Sequence, residues 1–224
     1  MDNYNAKFIN QWNKFENAIG VTKVKSSSEC IEQDERLKDK KYWHDCRMLR
    51  NLIHHNNDFA QITKSGYEQF VKMSEKIINP IKASKICIQK VYCAKNSSNL
   101  NEVLLKMKEN DFSNVPIIDN EKHIIGVFSH YTLFLYVNNN SEVILEPQNL
   151  CIDEFKKYYL ISANDETNYI FISKNESINN IIKIFNKNKN ERKHLGALLV
   201  TANGNKNEPL YGIITKDDIL EYYN

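Results

Sequence analysis

Two stretches of the chain repeat one pattern, Val115 to Thr132 (VPIIDNEKHIIGVFSHYT) and Ala197 to Asp218 (ALLVTANGNKNEPLYGIITKDD). Each runs from an apolar strand through a polar turn into a second apolar strand, Gly126-Val127-Phe128-Ser129 or Gly212-Ile213-Ile214-Thr215, and then into a helix. A repeat limits the folds open to a chain, because both copies must satisfy the same alternation of buried and exposed positions. The preceding segments repeat as well. Val91-Tyr92-Cys93 reads as a strand, Leu100 to Asn110 as a helix with Val103, Leu104 and Met107 inward, and Phe112 to Pro116 as the lead into the next strand. In the second copy Tyr169 to Ser173 is the strand, and Ile178, Ile181, Ile182 and Phe185 form the apolar stripe of the helix. The order strand, helix, strand, strand, helix thus occurs twice. Ser129 and Thr215 stand where a hydroxyl caps a helix while free amides point toward an approaching polar group, an arrangement suited to anions and to ribose.

These residues resemble the cystathionine-beta-synthase (CBS) domain, whose tandem pair forms a regulatory module; the likeness covers roughly residues 86 to 224. The resemblance implies a Gly-x-x-Ser/Thr-x-x-Asp pattern in which hydroxyl and carboxylate hold the ribose of an adenine nucleotide or related ligand. Gly212, Thr215 and Asp218 match it in full. A carboxylate suits the task because it accepts the hydrogens of both ribose hydroxyls. The first copy keeps Ser129 but has Thr132 where the aspartate belongs, so one good site and one degenerate cleft are expected. By the same resemblance Lys216 and Asp217 lie by the phosphate. Ile170 and Phe171, with Ala197, Leu198 and Leu199, line the base. The ligand is expected to be an adenine nucleotide, S-adenosylmethionine or cyclic di-adenylate, with no further cofactor, and the pair is expected to associate as a homodimer.

Composition narrows the remaining classes. Of the 224 residues 42% are hydrophobic and 26% charged, and no apolar run approaches the roughly 20 residues that cross a bilayer. The opening Met1-Asp2-Asn3-Tyr4 is unlike a secretory signal, so a cytoplasmic protein is expected. Cys30, Cys46, Cys87, Cys93 and Cys151 are odd in number and scattered without a CxxC, which speaks against a disulfide framework or a zinc site. His44 with Cys46, and the His54-His55 pair, lack the spacing of tetrahedral zinc ligands, and no metal is expected.

The first third reads as all helical. Phe8, Trp12, Phe15 and Ile19 fall at helical spacing and Gly20 stops the helix; Ser26-Ser27-Ser28 caps a second. A third runs from Asp39 to about Asn56 with Tyr42, Cys46, Leu49 and Ile53 as its buried stripe. Ser65 caps a fourth, with Phe70, Met73 and Ile77 inside. The expected architecture is therefore α+β: a small helical bundle (1–82), a first CBS domain (83–145) and a second (146–224). Residues 1–85 carry 15 Lys and Arg against 11 Asp and Glu, a mild basic bias that permits binding to a phosphate backbone without demanding it.

The third helix carries Arg50-Asn51-Leu52-Ile53-His54-His55. This resembles the HEPN superfamily, all-helical proteins whose Arg-x4-x6-His motif, often with Asn after the arginine, marks metal-independent ribonucleases. Arg50, Asn51 and His55 fit. The resemblance implies a histidine exchanging a proton with the ribose 2′-hydroxyl or the leaving oxygen while guanidinium steadies the phosphate. In a regular helix, however, residues five apart project about 140° from each other, which would require a distorted helix or a second subunit to join Arg50 to His55. Three readings follow: a sensor of an adenosine-containing nucleotide that signals to the helical domain, a nucleotide-regulated ribonuclease with RNA as partner, or a dimerisation scaffold with empty clefts.

Overall fold

In the computed structural model, which describes residues 3–55, 60–140, 145–160, 169–187 and 195–222, the Asn3 side chain starts helix α1 (Tyr4–Ile19) by accepting from the Ala6 amide at 3.1 Å. Gly20 ends it in the left-handed region (φ 81), where its amide bonds back to the Asn17 carbonyl. Helix α2 (Ser27–Gln33) opens on a capping box between Ser26 and Glu29. Helix α3 (Lys40–His55) follows, then α4 (Lys64–Ile78). The cap of α4 is Thr63, whose hydroxyl accepts from the Gly66 amide at 3.1 Å; Ser65, expected in that role, lies in the first turn instead.

The stripe on α1 closes over the other three helices, all of which it touches. Phe8, Trp12 and Phe15 are fully buried with Ile31, Leu37, Trp43 and Phe70. Phe15 stacks on Trp43 with ring centroids 4.5 Å apart and planes within 7°. Trp43 belongs by helical spacing to the stripe of Arg47, Arg50 and His54, yet it is 2% exposed. Its large ring is worth burying, at about 1.5–3 kcal/mol for a fully buried apolar side chain, so α3 turns that edge inward. This helical unit, Met1–Ile81, is one of two compact units; the other is Lys82–Asn224.

In the second unit each copy builds a small sheet under helices. The first pairs β1 (Asn114–Ile118) with β2 (Ile124–Ser129) antiparallel, with α6 (Leu100–Asn110) before them and α7 (His130–Asn139) after. The expected strand at Val91–Cys93 reduces to one bridging residue. Ala94 donates to the Pro116 carbonyl at 3.0 Å and accepts from the Ile118 amide at 2.9 Å. The second copy has the full pattern: β3 (Tyr169–Ser173) parallel to β4 (Ala197–Thr201), and β4 antiparallel to β5 (Gly212–Ile214). Its helix α9 is Ile178–Lys187. A 3-10 helix, Asp217–Tyr222, stands where a regular helix was expected.

The copies complete each other. Helix α5 (Ala83–Ile86) opens the first copy, but Ala83 and Cys87 pack among Ile172, Ile178, Ile181 and Ile219 of the second, and Ile88 exchanges two backbone hydrogen bonds with Ile213 (3.0 and 3.1 Å). Conversely Ile152, Phe155 and Tyr159, from the segment expected to open the second domain (146–224), lie in the core of the first with Leu100, Val115 and Phe128. Helix α8 (Lys156–Tyr159) leads there into Leu160, which bridges to Gly126. A third cluster joins the two sheets: Ile124 and Val127 from one copy, Ala197, Leu199 and Ile213 from the other. This exchange explains the glycine of each motif. A Cβ on Gly212 would sit 2.7 Å from Cys87 Sγ and 2.8 Å from the Ile88 carbonyl oxygen.

Candidate functional site

After β5 the chain turns through Thr215 and folds Asp218 back on it. The Asp218 Oδ2 atom accepts from both the Thr215 amide and the Thr215 hydroxyl, each at 2.7 Å. Two charge-assisted bonds to one oxygen fix the carboxylate, and Oδ1 takes no part in that turn. Thr215 and Asp218 are both half-buried, whereas Lys216 and Asp217 between them are exposed. The pair predicted to contact ribose is therefore brought together, in a tight turn ahead of a 3-10 helix and not along one face of an α-helix. Cys87 lies close enough for the Asp218 charge to act on it: burial pushes its thiol pKa up, and Asp218 adds to the rise.

The five apolar residues predicted to line the base divide between two faces. Ala197, Leu199 and Phe171 face the cluster between the copies. Ile170 and Leu198 face the opposite way, into the core under α9. Strand side chains alternate, so neighbours in sequence cannot share a face. Ile170 and Leu198 thus lie on the opposite face of the sheet from the other three, and Ala197, Leu198 and Leu199 are all fully buried.

The first copy repeats the turn with weaker chemistry. The Ser129 amide donates to the Thr132 hydroxyl at 3.0 Å and the Thr132 amide to the Ser129 hydroxyl at 3.4 Å, a reciprocal box at the start of α7. Here both residues are closed off, Ser129 9% and Thr132 2% exposed. The Tyr169 hydroxyl, from the second copy, donates to Asn114 Oδ1 at 2.9 Å, and Asn114 lies opposite Ser129 across the β1–β2 pair. Neither Asn114 nor Tyr169 stands out in the motif; only aligning the first strands of the two copies would have drawn attention to them.

On α3 the motif residues have structural partners. Arg50 donates to Asn51 Oδ1 at 3.0 Å and pairs with Glu16 of α1 at 3.4 Å. Glu16 also accepts from the Ser27 hydroxyl. The buried Nε atoms of Arg47 and Arg50 have no hydrogen-bond partner. Helix α3 runs unbroken through His55, and His54 and His55 are exposed, their rings edge to face at 6.1 Å. Arg50 and Asn51 are thus together, while His55 projects about 140° around the helix from Arg50. Among the described residues no group of three or more His, Cys, Asp and Glu could hold a metal, and no helix is long and apolar enough to cross a membrane.

Two reciprocally completed α/β copies, each with a hydroxyl-and-acceptor turn after its last strand, define a tandem pair of related domains. The family model for the CBS domain matches residues 83–139 and 165–224, and the chain belongs to that family. Among curated proteins it is similar to the uncharacterized protein MJ1232 of Methanocaldococcus jannaschii, 30% identical over 141 residues, which are 63% of this chain and 39% of that one. The chain therefore spans less than half the length of that relative. Solved structures of similar fold include CBSX2 in complex with AMP (15% identical, 63% of this chain and 94% of that chain, TM-score 0.45). Another is the CBS domain pair of protein MJ0100 in complex with 5′-methylthioadenosine and S-adenosyl-L-methionine (12% identical, 64% and 96%, TM-score 0.47). A third is a CBS-domain protein of Agrobacterium tumefaciens (12% identical, 64% and 98%, TM-score 0.46).

Proposed function

We propose that the chain is a regulatory sensor of an adenosine-containing ligand, held by Thr215 and Asp218. The observation that carries this reading is the Asp218 carboxylate: oriented by two bonds from Thr215 through Oδ2, half-buried, with Oδ1 outside the turn. Carboxylates bound by their own backbone in this way present a fixed acceptor, which is what a ribose diol needs. Phe171, half-buried with Ala197 and Leu199 packed behind it, supplies an apolar wall for the base. The helical unit is the receiver of the signal. Chain continuity favours this, because α4 ends at Ile78 and within ten residues the chain reaches Cys87 and Ile88, which form the edge of the sheet carrying Thr215. Binding that shifts this edge acts on the segment joining the units. A cytoplasmic setting fits such a sensor.

Thermal unfolding of wild type and Asp218→Ala against AMP, ATP, S-adenosylmethionine and cyclic di-adenylate tests the reading. Ligand at about 100 times its Kd adds roughly 2.7 kcal/mol, a rise of several degrees. The rise should appear with at least one compound and vanish in Asp218→Ala; no rise with any of them sinks the sensor.

The pair is a homodimer in this reading, and α7 is its seam. Tyr131, Phe134 and Val137 are 55%, 61% and 44% exposed, with the first two rings stacked, and α7 carries no Lys, Arg, Asp or Glu. An uncharged stripe is self-complementary, which an isologous contact with a second copy requires. Phe134→Glu should convert a dimer to a monomer in sedimentation; a monomeric wild type refutes this seam. The ribonuclease reading of Arg50, Asn51 and His55 is not adopted: the guanidinium is tied to Glu16, and no observation turns His55 toward it.

A further inference from the structure

We propose that Tyr169 is a built-in occupant of the first cleft, so that each chain accepts one ligand and not two. The proposal rests on the sensor reading above and adds its stoichiometry and the residue that sets it.

The strand registers place the copies on one another without reference to any ligand. Gly126 lies opposite Ile117, and Gly212 opposite Val200, so Gly126 corresponds to Gly212 and Ile117 to Val200. It follows that Asn114 corresponds to Ala197, Ser129 to Thr215 and Thr132 to Asp218. The next strand is fixed in the same way. Ala94 bridges to Ile117 and Ile172 pairs with Val200, which makes Ala94 the counterpart of Ile172 and, three residues earlier, Val91 the counterpart of Tyr169.

The correspondences expose an asymmetry that the motif alone does not contain. Against the Ser129 turn the second copy presents a phenol, and the first copy answers with an amide: Tyr169 donates to Asn114 Oδ1 at 2.9 Å, and Asn114 stands opposite Ser129 in the β1–β2 register. Against the Thr215 turn the matching positions are Val91 and Ala197, which belong to one apolar cluster and carry no side-chain hydrogen-bonding group. Exposure follows the same division. Ser129 and Thr132 are 9% and 2% exposed, while Thr215 and Asp218 are half-buried. A ribose hydroxyl approaching Ser129 would meet the phenol held at Asn114, the residue opposite Ser129, and displacing it would leave Asn114 without that donor. Burial also holds the phenol well above the usual tyrosine range, so it remains a donor throughout the neutral range. Thr132 in place of aspartate and Tyr169 in place of valine are two parts of one closure.

The test is calorimetric titration of AMP into the full chain, read as AMP bound per chain. Wild type should bind one. The double variant Tyr169→Val with Thr132→Asp, which gives the first cleft the residues of the second, should bind two. The reverse transplant, Val91→Tyr with Ala197→Asn, should bind none although Thr215 and Asp218 are intact. Each variant is accepted only if it melts cooperatively; if the first double variant does not fold, the reverse transplant carries the test. Two AMP per wild-type chain overturn the proposal and leave the sensor standing. So does a folded Tyr169→Val, Thr132→Asp variant that still binds one, or a reverse transplant that binds as wild type does. AMP bound by none of these proteins overturns the sensor reading for AMP and the proposal with it.

Discussion

Gly126→Ala should lower the melting midpoint of the Lys82–Asn224 unit by roughly 10 °C, more than Gly212→Ala does. The reason is the exchange of segments between the copies. Leu160 bridges to Gly126, and this brings the backbone of Tyr159 across the face of β2. A Cβ on Gly126 would overlap the Tyr159 carbonyl oxygen and its ring Cδ2. The ring could turn aside, but the carbonyl belongs to backbone at the end of α8, where Tyr159 and, just before the helix, Phe155 are buried in the first core. Relief therefore means moving a packed segment, at about 3 kcal/mol, and each kcal/mol is worth about 3 °C in a unit of this size. Gly212→Ala should be milder. Its nearest obstacle, Cys87 Sγ at 2.7 Å, is the end of a side chain, although the Ile88 oxygen at 2.8 Å is not. Gly20→Ala is the control: its Cβ would meet nothing within 4 Å, and only the left-handed φ of 81° opposes it. Calorimetric melting of the three variants checks the order. A loss at Gly126 no larger than at Gly20 would mean that the exchanged segment gives way easily, and that its close approach is not what requires glycine in the motif.

The glycines show where sequence reading reached and where it stopped. Features that are local in the chain were legible: the Phe8, Trp12, Phe15 stripe with Gly20 behind it, the helix Leu100–Asn110, and the strand Tyr169–Ser173, because caps and periodicity are written within a few residues. The Thr215 and Asp218 contact was legible for the same reason, being three residues long. Ile170 and Leu198 were misplaced by a choice that strand alternation forbids, since taking three consecutive residues of β4 as one wall ignores the period of two. Trp43 was drawn inward by a stack on Phe15 that lies 28 positions earlier in the chain, which no pattern within α3 announces. The exchange of α5 and α8 is of that second kind. Ala83 and Cys87 carry no mark saying that they complete the copy farther along the chain. Tyr169 and Asn114 meet across 55 residues, and Glu16 and Arg50 across 34. In each case a pairing through space assigned a residue that its neighbours in sequence left open.

Asp218→Asn should weaken ligand binding about 10- to 100-fold while leaving the melting point of the unliganded chain nearly unchanged. The carboxylate has two tasks, and the geometry assigns them to different oxygens. Oδ2 accepts the Thr215 amide and hydroxyl at 2.7 Å each, and Oδ1 lies outside that turn. An asparagine oriented with its oxygen toward Thr215 keeps both of those bonds, so the turn into Asp217–Tyr222 survives. What then faces the ligand is an NH₂ group. It cannot accept a ribose hydroxyl hydrogen, and the negative charge that strengthened the bond is gone. Hydrogen bonds to charged groups contribute about 1.5–3 kcal/mol, which corresponds to the stated range at 1.4 kcal/mol per tenfold. Asp218→Ala removes both tasks. It should lose binding as severely and also lower the unliganded melting point, because the turn loses an acceptor of the capping kind, worth about 1 kcal/mol. Titration calorimetry with AMP and melting without it separate the cases. Asn binding as tightly as wild type would show that the carboxylate serves only the turn, and the ligand contact would then have to be sought on Thr215 and the apolar wall of Phe171. A large fall in melting point for Asn would mean instead that the charge itself holds the turn, and that its half-burial beside Cys87 is structural in origin.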